Sequence, residues 1–151
     1  MAGMAERTVI YTDGACLGNP GPGGWAWAID KNRFESGSDA LTTNQRMELS
    51  AVLLALKVNT GQVLIVSDST YVVKCFLDGW WKKWIHNGWR NSQKEPVKNR
   101  DIWEELVNVV NDRGDSGVKF KWVKGHAGNP MNEFVDSLAT SAAKEVNKFD
   151  Q

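Results

Sequence analysis

The arrangement of apolar and polar side chains along the chain predicts an alternation of strands and helices. Thr8–Asp13 (TVIYTD) is rich in β-branched and aromatic residues and predicts a first strand. Gly18–Gly24 (GNPGPGG) is turn-forming, and Trp25–Asp30 (WAWAID) alternates as a second strand. A short turn at Lys31–Asn32 leads to a third strand over Arg33–Ser38. Thr43 suits a helix N-cap, with Arg46 in the first turn and Met47–Val58 apolar almost all round, which predicts a helix buried on most sides. Val63–Asp68 (VLIVSD) is short and continuously apolar, the pattern of a parallel strand covered on both faces. Helices are expected over about Ser69–Leu77 and Asn99–Arg113, the latter with Ile102, Leu106, Val109 and Val110 at helical spacing. Val118–Lys124 (VKFKWVK) alternates strictly and predicts a half-buried strand with Lys119 and Lys121 outward. A closing helix, about Met131 to Asn147, carries a stripe of Val135, Leu138, Ala139, Ala142 and Val146.

This order predicts an α/β fold whose mixed sheet is antiparallel at first and parallel later, with helices on both faces. With 151 residues, no internal repeat and no linker, one domain spanning 1–151 is expected. No apolar run reaches the ~20 residues of a membrane span, and no signal-peptide pattern opens the chain. Cys16 and Cys75 form no CxxC pair, so a disulfide scaffold or structural zinc is not expected and a reducing cytoplasm fits.

Charge changes the picture only when it is divided. The 18 basic and 18 acidic residues cancel, which argues at first against a polyanionic partner. Residues 80–100, however, hold Lys82, Lys83, Arg90, Lys94, Lys98 and Arg100 against Glu95 alone, a local charge of +5. Trp80, Trp81, Trp84 and Trp89 lie in the same stretch, half of the eight tryptophans. Basic charge mixed with aromatics suits phosphates and bases or sugars. The competing reading, a helix packed by tryptophans and kept soluble by lysines, fits the composition equally well.

Ligands of open α/β sheets sit at the carboxyl ends of parallel strands. Asp13 is expected to end the first strand and Asp68 the central one, so that they emerge side by side. Glu48 shares a helical face with Ala51, Val52 and Ala55, where a carboxylate is costly unless paired or bound to a cation. Asp136 borders the apolar stripe of the last helix. Any one of these acids has an ordinary explanation as a strand end or helix cap. Several without evident basic partners point to Mg²⁺ or Mn²⁺, hard ions that take oxygen ligands. Two such ions about 4 Å apart form the clamp used in phosphodiester cleavage. His126, in the KGHAGNP loop, suits proton shuttling, although a solvated loop histidine is the commoner case. Gly21–Ala26 (GPGGWA) matches a dinucleotide-binding pattern, but it opens a strand and not a helix, so it fails its structural test.

Taken together, YTDGACLGNPGPGG, TTNQRMEL, VSDSTYV and VKGHAGNPMNEFVDSLA resemble type 1 ribonuclease H of the bacterial kind, in the family's order and spacing. With GWWKKWIHNGWRNSQKEPVKN the resemblance covers almost the whole chain. It implies a ribonuclease H-like five-stranded mixed sheet in the order β-β-β-α-β-α-β-α, and a basic protrusion over about 79–98. It also implies an endonuclease that cuts the RNA strand of RNA–DNA hybrids, as in RNA primer removal, leaving 5′-phosphate and 3′-hydroxyl ends. Carried over residue by residue, Asp13, Glu48, Asp68 and Asp136 become the catalytic, metal-holding carboxylates for two Mg²⁺ ions, with Mn²⁺ as a substitute. Asp13 would bridge the ions, Asp136 would help hold the one on the water side, and Glu48 and Asp68 the one at the leaving 3′ oxygen. His126 would assist proton movement or product release. Cys16, Asn19, Asn44 and Gln45 match contacts to the hybrid's minor groove, and Thr43 a contact to a DNA phosphate. Trp81, Lys82, Lys83, Trp84 and Trp89 match the protrusion that grips the DNA strand. Five features depart from the bacterial pattern: an extra tryptophan in the protrusion, a shifted lysine pair, a short turn between the second and third strands, Gln45 in place of Asn, and Phe134 in place of a polar or charged residue. A monomer in the cytoplasm, with no membrane and no obligate protein partner, is expected. The reading from another class is a catalytically silent hybrid-binding module, against which the intact acid set argues. A membrane-surface helix over the Trp/Lys stretch is a weaker third.

Overall fold

The computed structural model describes residues 7–149, so the ends of the expected 1–151 domain lie outside the described residues. The elements are β1 (Thr8–Cys16), β2 (Gly21–Asp30), β3 (Arg33–Thr42), α1 (Asn44–Val58), β4 (Val63–Ser67), α2 (Thr70–Asp78), α3 (Trp80–His86), α4 (Arg100–Asp112), β5 (Val118–Trp122) and α5 (Pro130–Phe149). They build one five-stranded sheet in the order β3-β2-β1-β4-β5. β1–β2 and β2–β3 pair antiparallel, β1–β4 and β4–β5 parallel, as the order of elements predicts.

Strand parity sorts the core into two layers, because successive side chains point to opposite faces. Trp27 of β2 and Ile10 of β1 join Leu49, Val52 and Leu56 of α1 and Trp103 and Leu106 of α4 on one face. Ala26 and Ala28 meet Val135 and Ala139 of α5 on the other. The small residues let α5 lie close: a Cβ on Gly24 would stand 2.1 Å from the Ala139 carbonyl oxygen. On the opposite face a Cβ on Gly14 would stand 2.3 Å from the Glu48 amide nitrogen. Neither position admits a side chain without moving a helix backbone.

These approaches explain where the strands exceed their expected lengths. β1 runs on past Asp13 to Cys16, and the expected turn at Gly18–Gly24 contributes Gly21–Gly24 to β2. Asp13 therefore does not end its strand; it pairs with Ala26. The parallel ladder to β4 stops two residues earlier, at Tyr11 and Val66, so Asp13 still emerges just beyond it. Glycine lowers strand propensity, but tertiary packing outweighs that preference here. β3 extends from Ser38 to Thr42, and β5 stops at Trp122, short of Lys124.

Helix ends follow local chemistry. The Thr43 hydroxyl caps α1 by accepting from the Arg46 N–H at 3.3 Å, and Ser69 caps α2 through the Val72 N–H at 3.2 Å. Arg46 also binds both carboxylate oxygens of Asp101, at 3.0 and 2.7 Å, joining α1 to α4. Phe134, the unexpected apolar residue of α5, packs edge-on against Phe34 of β3 at 5.4 Å.

Candidate active site

Asp13, Glu48, Asp68 and Asp136 are delivered by four different elements to the same end of the sheet. Asp13 comes from β1, Glu48 from the first turns of α1, Asp68 from the residue after β4, and Asp136 from the second turn of α5. Parity directs Asp13 to the α5 side of the sheet, with Tyr11 and Ala15. Asp13 is 6% exposed, and one of its carboxyl oxygens accepts from the Gly14 N–H at 2.9 Å. Burial pushes its pKa up to about 9, and repulsion from Asp68 and Asp136 adds to the rise. Glu48 is also raised, first by burial and further by Asp68, against the pull of its hydrogen bonds to Ser69 and Asn44.

Among the described residues, no Lys, Arg or His forms an ion pair with any of the four acids. Mutual repulsion in a desolvated pocket with no basic partner is the condition a divalent cation relieves, so the donor set fits such an ion. Among the described residues, no three acidic, His or Cys side chains close into a ready-made cage.

The acids are held by neighbours of which only Asn44 is singled out in the sequence, and for another role. Glu48 accepts from the Asn44 side-chain amide at 2.9 Å and from the Ser69 hydroxyl at 2.6 Å. Asp68 accepts from the Asn132 side-chain amide at 3.3 Å, and its backbone oxygen accepts from the Trp122 indole at 3.0 Å. Gly125 lies against the Asp68 carboxyl, where a Cβ would come within 2.8 Å of Oδ2. Ser69, expected as the first residue of its helix, is instead the N-cap of α2. Its second role, and those of Gly125 and Asn132, need long-range contacts that carry no local signal.

His126 stands exposed on the β5–α5 loop with a left-handed φ of 56°, and no hydrogen bond ties its ring to the acids. The expected minor-groove residues do converge. The Cys16 thiol lies 3.4 Å from the carbonyl oxygens of both Gly21 and Thr42, and the Asn19 side-chain oxygen accepts from the Asn44 N–H at 3.2 Å. Gln45 is exposed beside them, while the Thr43 hydroxyl already serves the α1 cap.

The Trp/Lys stretch divides its labour. Trp89 is 7% exposed and belongs to the core, so its ring is not free to meet a ligand. Trp84 is half-buried against Trp103, with ring centres 5.2 Å apart. Trp81 is half-buried with the Lys82 ammonium 5.6 Å above its ring. Lys82, Lys83 and Trp80 are exposed on α3, so the packing reading describes Trp84 and Trp89, while these three side chains stay open to solvent.

An α/β sheet with this strand order, a carboxylate cluster where its parallel strands end, and a basic aromatic arm define the ribonuclease H-like class. The family model for RNase H matches residues 5–144, and the chain belongs to that family. A Ribonuclease H of Thermus thermophilus is 45% identical over 148 residues, covering 95% of this chain and 87% of its own. That of Moorella thermoacetica is also 45% identical over 148 residues, covering 95% of both chains. Among solved structures, LC9-RNase H1, a type 1 RNase H with the type 2 active-site motif, superposes with a TM-score of 0.73 at 27% identity, over 93% of this chain and 74% of that one. The foamy viral protease-reverse transcriptase in complex with RNA/DNA hybrid gives 0.74 at 25% identity, over 89% of this chain and 20% of that one. Members of the RNase H family depend in general on divalent metal.

Proposed function

We propose that this protein is an endonuclease that hydrolyses the RNA strand of RNA–DNA hybrids and leaves 5′-phosphate and 3′-hydroxyl ends. The observation that carries the reading is a desolvated carboxylate cluster without basic partners, in a chain of the RNase H family. Asp13, Glu48, Asp68 and Asp136 would hold two Mg²⁺ ions, or Mn²⁺ in their place. When bound, the ions supply the positive charge that offsets charge developing on the scissile phosphate.

The chain's own residues do the remaining work. Asn44 and Ser69 each donate to one oxygen of Glu48, and Asn132 donates to Asp68, so these carboxylates present a set orientation. Cys16, Asn19, Asn44 and Gln45 form the surface for the minor groove, where 2′-hydroxyls mark the RNA strand. Thr43 is assigned a DNA phosphate, and Trp81, Lys82, Lys83 and Trp84 the DNA strand beyond it. Trp89 supports this arm from within the core. His126, on its exposed loop, is placed to exchange protons with solvent during turnover.

The two cysteines are both free, which supports a reducing compartment, and we assign the protein to the cytoplasm as a monomer without obligate partners. Among the described residues, no helix is long and apolar enough to cross a membrane.

A labelled hybrid incubated with Mg²⁺ tests the reading. Cleavage confined to the RNA strand is expected. Equal cleavage of duplex DNA overturns it, and hybrid that is bound but left intact identifies a silent binding module instead. With the same hybrid, Lys82→Ala with Lys83→Ala is expected to flatten the dependence of log Kd on log salt by about 1–2 units, since each phosphate contact contributes about 0.9. An unchanged slope removes those lysines from the interface.

A further inference from the structure

Asn132 matches none of the positions assigned to metal or hybrid, yet it is 2% exposed at the start of α5. Its side-chain amide donates to Oδ2 of Asp68 at 3.3 Å. Its own Oδ1 is buried with no hydrogen-bond partner. A buried carbonyl left unpaired costs about 1–3 kcal/mol. Turning the amide over would not relieve this cost, because it would set a carbonyl oxygen against a carboxylate oxygen and leave the NH₂ group unpaired. The observed orientation therefore gives Asp68 its donor and accepts an orphan in return, an arrangement associated with functional sites.

The position of Asn132 is itself determined locally. The Asn129 side-chain oxygen accepts from the N–H groups of Met131 and Asn132, at 3.1 and 3.0 Å, which fixes the first turn of α5. Asn132 and Asp136 are four residues apart, so they share one helical face. One turn of α5 thus addresses two strand-derived carboxylates: Asn132 meets Asp68, and Asp136 lies against Asp13. Gly125 lies near the same Asp68 oxygen, where an added Cβ would stand 2.8 Å from Oδ2.

We infer that Asn132 is a positioning residue that clamps the Asp68 carboxylate, beside the Gly125 backbone, in the orientation that receives a divalent cation. The inference rests on the assignment of Asp68 to the metal-holding set. Asn132 touches neither substrate nor cation; it acts through Asp68 by restricting the carboxylate's rotation about its terminal bond.

The test uses the full chain and Mg²⁺ alone, by calorimetric titration, together with steady-state hybrid cleavage. Asn132→Ala and Asn132→Leu are expected to weaken Mg²⁺ binding about tenfold and to lower kcat about tenfold, with KM for the hybrid changed less than about twofold. Asn132→Leu keeps close to the side chain's shape, lacks the donor and adds no charge, so it decides the matter if Asn132→Ala does not fold. Wild-type protein provides a third measurement. The Asn132 side-chain amide proton signals are expected to shift as Mg²⁺ is added, and not to shift in Asp68→Asn. Unchanged Mg²⁺ affinity and kcat in the variants, or a change in KM alone, overturns the inference. Asp68→Asn that binds Mg²⁺ and cleaves like wild type overturns the assignment of Asp68 instead, so the two failures are distinguishable.

Discussion

Asp68→Asn and Glu48→Gln are each expected to lower single-turnover cleavage of a hybrid by at least about a thousandfold while leaving hybrid affinity within a few-fold of wild type. Each change keeps the side chain's shape and removes one negative charge from a cluster whose proposed work is to hold cations. The surroundings tolerate the amides. Asn132 still finds an oxygen acceptor at position 68. At position 48 the Gln oxygen accepts from the Asn44 amide and its NH₂ group faces the Ser69 hydroxyl, which can accept. The surface assigned to the hybrid is built from other residues, Cys16, Asn19, Asn44 and the α3 arm, so binding does not depend on these charges. Single-turnover rates with each variant in excess, set beside Kd from filter binding, separate the two effects. Undiminished cleavage by both variants contradicts the metal assignment.

Asp13→Asn is expected to abolish activity and yet stabilise the metal-free protein. The Asp13 carboxyl has an ordinary pKa of 3.8 and is pushed up to about 9 in the fold, chiefly by burial and then by Asp68 and Asp136. A carboxyl raised in the folded state keeps its proton there while the unfolded chain has lost it. Stability is therefore highest below about pH 4 as far as this group is concerned, and falls as pH rises towards 9. Glu48 is shifted the same way, again mainly by burial. At pH 7 this linkage predicts a higher Tm for Asp13→Asn than for wild type in EDTA. The difference is expected to narrow at pH 5 and to shrink when Mg²⁺ is added, because the cation stabilises only the wild-type cluster. Thermal unfolding at pH 5 and pH 8, with and without Mg²⁺, checks all three statements. A less stable Asp13→Asn at pH 8 in EDTA contradicts them.

These two sets of variants separate costs that coexist in one site. Burial and mutual repulsion raise the pKa of Asp13 and Glu48 in the fold, a cost that the proposed reading sets against the cation they would hold. Asn132 adds a smaller cost of the same kind through its unpaired Oδ1. Such a site resists drift by surrounding itself with rigid elements: Gly14 against α1, Gly24 against α5 and Gly125 against Asp68.

Much of the fold is legible in the sequence because periodicity is local. The unbroken apolar run of VLIVS and the helical stripe of α5 report burial through spacing alone. The alternation in VKFKWVK does so for Val118 and Phe120 but not for Trp122, which is exposed. Thr43 is recognisable as a cap for the same reason, since its partner Arg46 lies three residues away. The four acids stand out as carboxylates in places that penalise charge, and motif order joins them into one set. Strand ends are harder to read. Gly21–Gly24 looks like a turn locally and becomes β2 only because α1 and α5 must approach it closely. The tryptophans of residues 80–100 look alike in composition, yet Trp89 is core and Trp80 is surface.

The sequence by itself determined the family and the order of the elements apart from α3. It also singled out the four carboxylates as candidates, since each of these features is written in local spacing or in motifs read in register. Only the tertiary structure decided what surrounds those carboxylates. Asn132 lies 64 residues from Asp68, and Ser69 lies 21 from Glu48, so their hydrogen bonds exist only once the sheet and helices have closed. The raised pKa of Asp13 has the same origin, because desolvation and repulsion belong to the assembled pocket and to no segment of the chain.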